Sequence, residues 1–167
     1  MKEEFNIHSL PFLFTSLIFL VLPLYIFIKN KKSQIARTFF ILGLVSFVWY
    51  FPYFIIYNLS SVNSSLIIFF LKIAYLGLVF IGPSLYRFTL SFLNLKKKYL
   101  VYLFYTVSII FAILIIFTDY IVSGFREFSW GYSVMRGKYY SMVFVIWIIP
   151  LFLSLKELYV EYKKTKY

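Results

Sequence analysis

The chain has no cysteine, one histidine and six acidic residues among 167. Without cysteine, disulfides, thiol nucleophiles and sulfur-ligated metals are excluded. The histidine, His8, stands in the N-terminal tail, so no histidine-based metal site is expected beyond it, and no cofactor is expected either. The acids are Glu3, Glu4, Asp119, Glu127, Glu157 and Glu161, and all lie outside the long apolar runs. That placement counts against intramembrane proteolysis, proton pumping and carboxylate-coupled transport, which put an ionisable acid within the membrane. There is no phosphate-binding loop, protein-kinase motif set or zinc-protease motif. The expectation is a chain with no catalytic residues, not an enzyme.

What is abundant is apolar surface. Hydrophobic residues make up 62% and charged residues 14%, with a mean hydropathy of +0.86. Soluble domains average about 25% charged and about 45–50% apolar residues. A fold of this length in water buries only roughly two-thirds of the surface its unfolded chain exposes, so the solvent for the remainder must be lipid. The net charge of +11 would suggest nucleic acid in a soluble protein. Here the basic residues sit between apolar runs and read as determinants of topology, so the expected partner is a lipid bilayer and not nucleic acid.

The fold class implied is an all-α integral membrane bundle, one domain over 1–167, with about five spans at roughly 10–28, 38–57, 66–93, 99–118 and 139–155. Each is long enough, at about 1.5 Å per residue, to cross a hydrocarbon core of about 30 Å. The first run follows Lys2, Glu3 and Glu4, precedes Lys29, Lys31 and Lys32, and lacks a small-residue cleavage site. It reads as a retained anchor inserted N-out, not as a signal peptide. In the third run, Ile73 to Leu93 suffices for a crossing, leaving Leu66 to Leu71 to extend past the interface or lie along it. Lys72 and Arg87 can snorkel towards opposite surfaces, while Gly77, Gly82 and Pro83 narrow and bend the helix. The polar tail 156–167 is expected to continue the fifth helix, with Leu151, Leu155, Leu158 and Tyr162 forming an apolar stripe.

Five crossings put the termini on opposite sides. Lys29, Lys31, Lys32, Arg37, Lys96, Lys97, Lys98, Lys156, Lys163, Lys164 and Lys166 all fall on one side, 11 of the 17 basic residues. By the positive-inside rule that side is cytoplasmic, giving a multi-pass protein of the inner (cytoplasmic) membrane, N-out and C-in.

Lys72 and the segment 119–138 are the candidates for function. Arg126-Glu127-Phe128-Ser129-Trp130-Gly131-Tyr132 and Arg136-Gly137-Lys138 combine aromatics, charges and glycines in a loop of about 20 residues, suited to a lid over the outer mouth of the bundle. Lys72, Trp130, Tyr132 and Arg136 are the expected ligand-binding residues.

The third helix, Ile73-Ala74-Tyr75-Leu76-Gly77-Leu78-Val79-Phe80-Ile81-Gly82-Pro83-Ser84-Leu85-Tyr86-Arg87-Phe88-Thr89-Leu90-Ser91-Phe92, resembles the signature helix of the seven-transmembrane N-terminal region of bacterial histidine kinases. The resemblance takes in Trp49, Trp130-Gly131-Tyr132 and Gly137-Lys138-Tyr139-Tyr140, and extends over most of residues 10 to 163. Where family members carry a second proline, this chain has Gly82 or Ser84. It has five helices where the family has seven, and nothing resembling a phosphoacceptor helix or ATP-binding domain. The resemblance implies a non-enzymatic signal-input module of a two-component system, either a truncated product or a stand-alone sensor. It would act as a homodimer or through a separate cytoplasmic signalling partner. A small transporter or channel subunit is the alternative, for which the spans offer only scattered hydroxyls such as Ser46, Ser84, Thr89 and Ser91.

Overall fold

The computed structural model describes residues 6–59 and 64–166; Lys2, Glu3, Glu4 and the centre of the polar linker after the second span lie outside them. A single 3-10 turn, Ile7–Ser9, leads into α1 (Leu10–Lys29), α2 (Gln34–Tyr57), α3 (Ser64–Phe92) and α4 (Lys98–Phe117). An antiparallel hairpin, β1 (Val122–Phe128) and β2 (Gly131–Arg136), precedes α5 (Tyr140–Lys166). All five helices are long and apolar enough to cross a membrane, as the sequence leads one to expect.

The centre is α3, which packs against α2, α4 and α5, whereas α1 leans on α2. Burial follows that order. Tyr75, Val79, Tyr86 and Leu90 of α3 are buried, while Phe14, Ile18, Val21 and Tyr25 of α1 are exposed to what must be lipid. Four ring pairs run down the α1–α2 seam: Phe12–Tyr53 at 5.5 Å, Phe12–Tyr57 at 5.0 Å, Phe19–Tyr50 at 5.7 Å and Phe27–Phe40 at 5.1 Å. Such pairs contribute about 0.5–1.5 kcal/mol each beyond their burial. α3 ends because Asn94 adopts a left-handed φ of 53°. Leu95 N–H then donates to Leu90 O and Asn94 N–H to Ser91 O, which caps the last carbonyls in a Schellman arrangement.

The prolines explain how the helices pack. A proline inside a helix leaves the carbonyl four residues earlier without its donor, and lipid supplies none, so a neighbouring helix must meet it. Pro83 frees the carbonyl of Val79, and Ser108 Oγ of α4 donates to it at 2.7 Å. Pro150 frees Ile146 O, which faces Gly82 so closely that a Cβ there would lie 2.9 Å away. Pro23 frees Phe19 O, which abuts Gly43. Gly77 serves the remaining seam, where a Cβ would sit 2.5 Å from Trp49 N and 2.8 Å from Val45 O of α2. The sequence-based expectation that Gly77 and Gly82 narrow the third helix therefore has a specific cause: each faces the backbone of a neighbour.

This pairing makes a prediction. Ser108→Ala strands Val79 O and is expected to cost about 1 kcal/mol, within the range for an unsatisfied buried acceptor and near the mean for interhelical hydrogen bonds in membranes. In a Pro83→Ala background residue 83 regains its N–H and can satisfy Val79 O, so the same change should cost close to nothing. Thermal unfolding of the four proteins in one detergent measures this. Equal costs in the two backgrounds would show that Ser108 does not serve the proline.

One detail differs from expectation. Segment 119–138 is a paired hairpin, not an irregular loop, so the chain is mostly and not wholly helical. A two-stranded sheet has unpaired edges that hydrocarbon cannot satisfy, which places it beyond the membrane core. Leu66 to Leu71 belong to the first turns of α3, with Ile67 and Leu71 fully buried and Leu66 and Phe69 exposed. On α5, which continues through the polar tail, Leu155 and Tyr162 of the apolar stripe are more than half exposed. The face turned to the bundle carries Val143, Pro150, Ser154 and Glu157.

Candidate functional site

The hairpin is keyed into the bundle. Its register pairs Phe128 with Gly131 and Glu127 with Tyr132, leaving a two-residue turn at Ser129–Trp130. Neither turn residue has a positive φ; the unusual torsion falls on Gly131, at 149°. A Cβ there would meet the Tyr57 ring at 2.8 Å, so glycine is required both by torsion and by the close approach to α2. Ile121, Val122 and Tyr132 join the apolar core with Ile67, Leu71 and Val143. Phe125 sets its edge against Tyr132 at 5.5 Å. At the base, Gly137 N–H donates to Ile121 O and Tyr139 N–H to Tyr120 O.

Beneath the hairpin lies a layer of tyrosines. Tyr75 Oη donates to Tyr140 Oη at 3.0 Å, joining α3 to α5, and Tyr53 of α2 interacts with the side chains of Tyr75 and Trp49. Tyr75 is buried and Tyr53 half-buried within the bundle.

The four sequence-expected ligand residues sit around this end but do not line one cavity. Lys72 Nζ donates to Asp119 Oδ1 at 3.1 Å and to Thr118 O at 3.2 Å, tying α3 to the root of β1. Trp130 stacks on Phe128 at 5.1 Å and leans over Tyr57 at the hairpin tip. Its carbonyl accepts from Asn6 Nδ2 at 3.2 Å. Tyr132 is the buried key. Arg136 lies over the Tyr140 ring at 5.3 Å and, with Arg126, Ser133 and Met135, lines a cavity of about 540 Å³ on the hairpin. Arg136 therefore connects that cavity to the tyrosine layer.

At the opposite end, Lys97 Nζ donates to both carboxylate oxygens of Glu157, at 2.6 and 2.8 Å. Glu157 is buried on α5 and Lys97 precedes α4. Tyr86 of α3 is fully buried beside Glu157, its hydroxyl without a hydrogen-bond partner among the described residues. Among the described residues no cluster of His, Asp and Glu has the makings of a metal site.

Residues 11–161 match the family described as the N-terminal 7TM region of histidine kinase. The chain belongs to this family. No curated protein and no solved structure matches it. The histidine-kinase 7TM match runs from the first turn of α1 to Glu161 of α5 and includes the hairpin, and the family marks the chain as a sensor region. The blocks that carry the resemblance in sequence converge in space. Trp49 backs Gly77, Gly131 abuts Tyr57, Gly137 abuts Tyr120 O, and Tyr140 bonds Tyr75.

Proposed function

We propose that this chain is a non-enzymatic signal-input unit of the inner membrane, with the hairpin end outside and the basic end in the cytoplasm. The excess of Lys and Arg at the latter end supports the orientation. A stimulus acts on the hairpin, where Arg136 and Trp130 are accessible, Tyr132 is the lever and Lys72 holds the hairpin root through Asp119. The observation that carries the reading is continuity: α5 leaves the hairpin at Tyr140, takes part in the tyrosine layer, and runs unbroken to Lys166. Its 27 residues extend about 40 Å at helical rise, more than a membrane core. Displacing Tyr132 therefore shifts α5 at one end and presents the shift at the other, to a second copy of the chain or to a separate cytoplasmic partner.

The test joins a dimerisation-dependent histidine-kinase output after the tail and inserts one, two, three or four alanines after Tyr162. Each insertion turns the output by about 100°, so activity should rise and fall with helical phase. Tyr132→Ala should change the level at fixed phase. Any output requires the tail in the cytoplasm, so the same fusion reports orientation. Output that declines smoothly with length, or ignores both changes, would reduce α5 to an anchor and remove the reading.

A further inference from the structure

A cavity of about 580 Å³ opens at the basic end between α3 and the start of α4, far from the hairpin. Arg87, Ser91 and Asn94 reach it from α3 and the Schellman turn, and Lys96 and Lys98 from the segment that the turn redirects. Gln34 Nε2, donating to Ser91 Oγ at 3.4 Å, closes the α2 side. The charge around this space is not balanced from within. Asp119 and Glu127 are at the other end, Glu157 is held by Lys97 and Glu161 by Lys164. Among the described residues no carboxylate pairs with Arg87, Lys96 or Lys98. Three cations converging on one cavity repel each other unless an anion lies among them. The first turn of α4 borders the cavity, and Lys97 gives its N–H groups no side-chain cap, which adds to the attraction for an anion. The remaining wall is apolar: Val101, Tyr102 and Tyr105 of α4, with Tyr102 66% exposed. The cavity thus joins a polar basic floor to a greasy helix surface.

We propose that this cavity binds the phosphate-bearing headgroup of an anionic phospholipid. Arg87 offers a planar pair of donors matched to phosphate oxygens, Lys96 and Lys98 supply further charge, and Ser91, Asn94 and Gln34 supply neutral donors. The acyl chains run along Val101 and Tyr102. Basic pockets between membrane helices recognise headgroups on these terms. The free phosphate group shares the polar part of this chemistry but has no use for the apolar wall.

The experiment uses the full chain in phosphatidylcholine nanodiscs, titrated with phosphatidylglycerol, with further phosphatidylcholine, or with inorganic phosphate, and read by thermal shift and by native mass spectrometry of bound lipid. Phosphatidylglycerol should saturate at one tightly held lipid per chain with at least a tenfold preference over phosphatidylcholine. Arg87→Gln/Lys96→Gln/Lys98→Gln should lose that preference by tenfold or more. Lys31→Gln/Lys32→Gln/Lys163→Gln, which removes equal charge from the same end, should change it less than twofold. A response to phosphatidylglycerol alone assigns the site to lipid. The same plateau with inorganic phosphate supports the phosphate site and overturns its lipid source. Equal binding of the two lipids, or equal loss in both triple variants, overturns the proposal, since diffuse charge then suffices. Should the first triple variant fold poorly in phosphatidylcholine, Lys96→Gln/Lys98→Gln carries the same comparison, with a loss of threefold or more expected.

Discussion

Gly82→Leu is expected to leave no folded protein, and Gly82→Ala to destabilise it by about 1–3 kcal/mol, the usual range for forcing extra carbon into a packed site. The position has nowhere to yield, because the neighbour is not a side-chain tip but the carbonyl of Ile146 and the Cα of Trp147, at 2.9 and 3.2 Å from a would-be Cβ. Gly77→Leu should behave alike, since it faces the backbone of Trp49 and Val45. A lipid-facing exchange such as Ile113→Leu, at a half-exposed position of α4, should be silent. The cause can be separated from general intolerance. Pro150→Ala restores a donor for Ile146 O, draws that carbonyl back into its own helix, and should make Gly82→Ala less costly. The measurement is the yield and melting temperature of monodisperse protein after detergent extraction. If Gly82→Leu accumulates and melts like the parent, the α3–α5 seam is wrongly placed.

The features that could be read from sequence are those that depend on length and on single residue types. Five spans follow from the reach of an apolar helix, and Gly77 and Gly82 are informative because only a missing side chain lets backbones approach within a membrane. The hairpin was hidden because Ser129-Trp130 is not one of the Asn-Gly or Asp-Gly pairs that announce a tight turn. Its glycine follows the turn instead of forming it. The packing face of α5 is not legible in the sequence, for a reason peculiar to membranes. Lipid tails are as apolar as leucine, so the stripe of Leu151, Leu155 and Leu158 marks exposure, whereas Ser154 and Glu157 mark burial. The same inversion hides the tyrosine layer and the Lys97–Glu157 pair, where contacts between residues 60 apart have no local pattern to betray them. Of the four expected ligand residues, Arg136 borders a cavity, whereas Lys72 holds the hairpin root and Tyr132 its core, roles set by partners that sequence spacing cannot supply.

Lys97→Met is expected to destabilise the protein by about 1–3 kcal/mol. Breaking a buried pair by removing one partner costs about 3–5 kcal/mol; the smaller figure applies because the Lys97 side chain is 48% exposed and water screens part of the attraction. The cost falls on Glu157, whose side chain is only 10% exposed and which is left against Tyr86 with no cation. Glu157→Gln should cost less, about 1 kcal/mol, because a neutral amide tolerates burial. Lys97→Met/Glu157→Gln should be close to Glu157→Gln alone, since Lys97 has no acid left to serve. At about 2–4 °C of melting temperature per kcal/mol for chains of this size, the cycle is measurable, and a coupling below about 0.5 kcal/mol would mean the pair is incidental. The same cycle bears on signalling. The pair fastens the basic end of α5 to the segment ahead of α4, so a helix that moves must strain or release it. In the kinase fusion, Lys97→Met should therefore shift the basal output and weaken its dependence on Tyr132, while Lys164→Met, which breaks the exposed Lys164–Glu161 pair within α5, should change neither. Identical effects of the two substitutions would show that charge near the tail, and not the fastening of α5, sets the output.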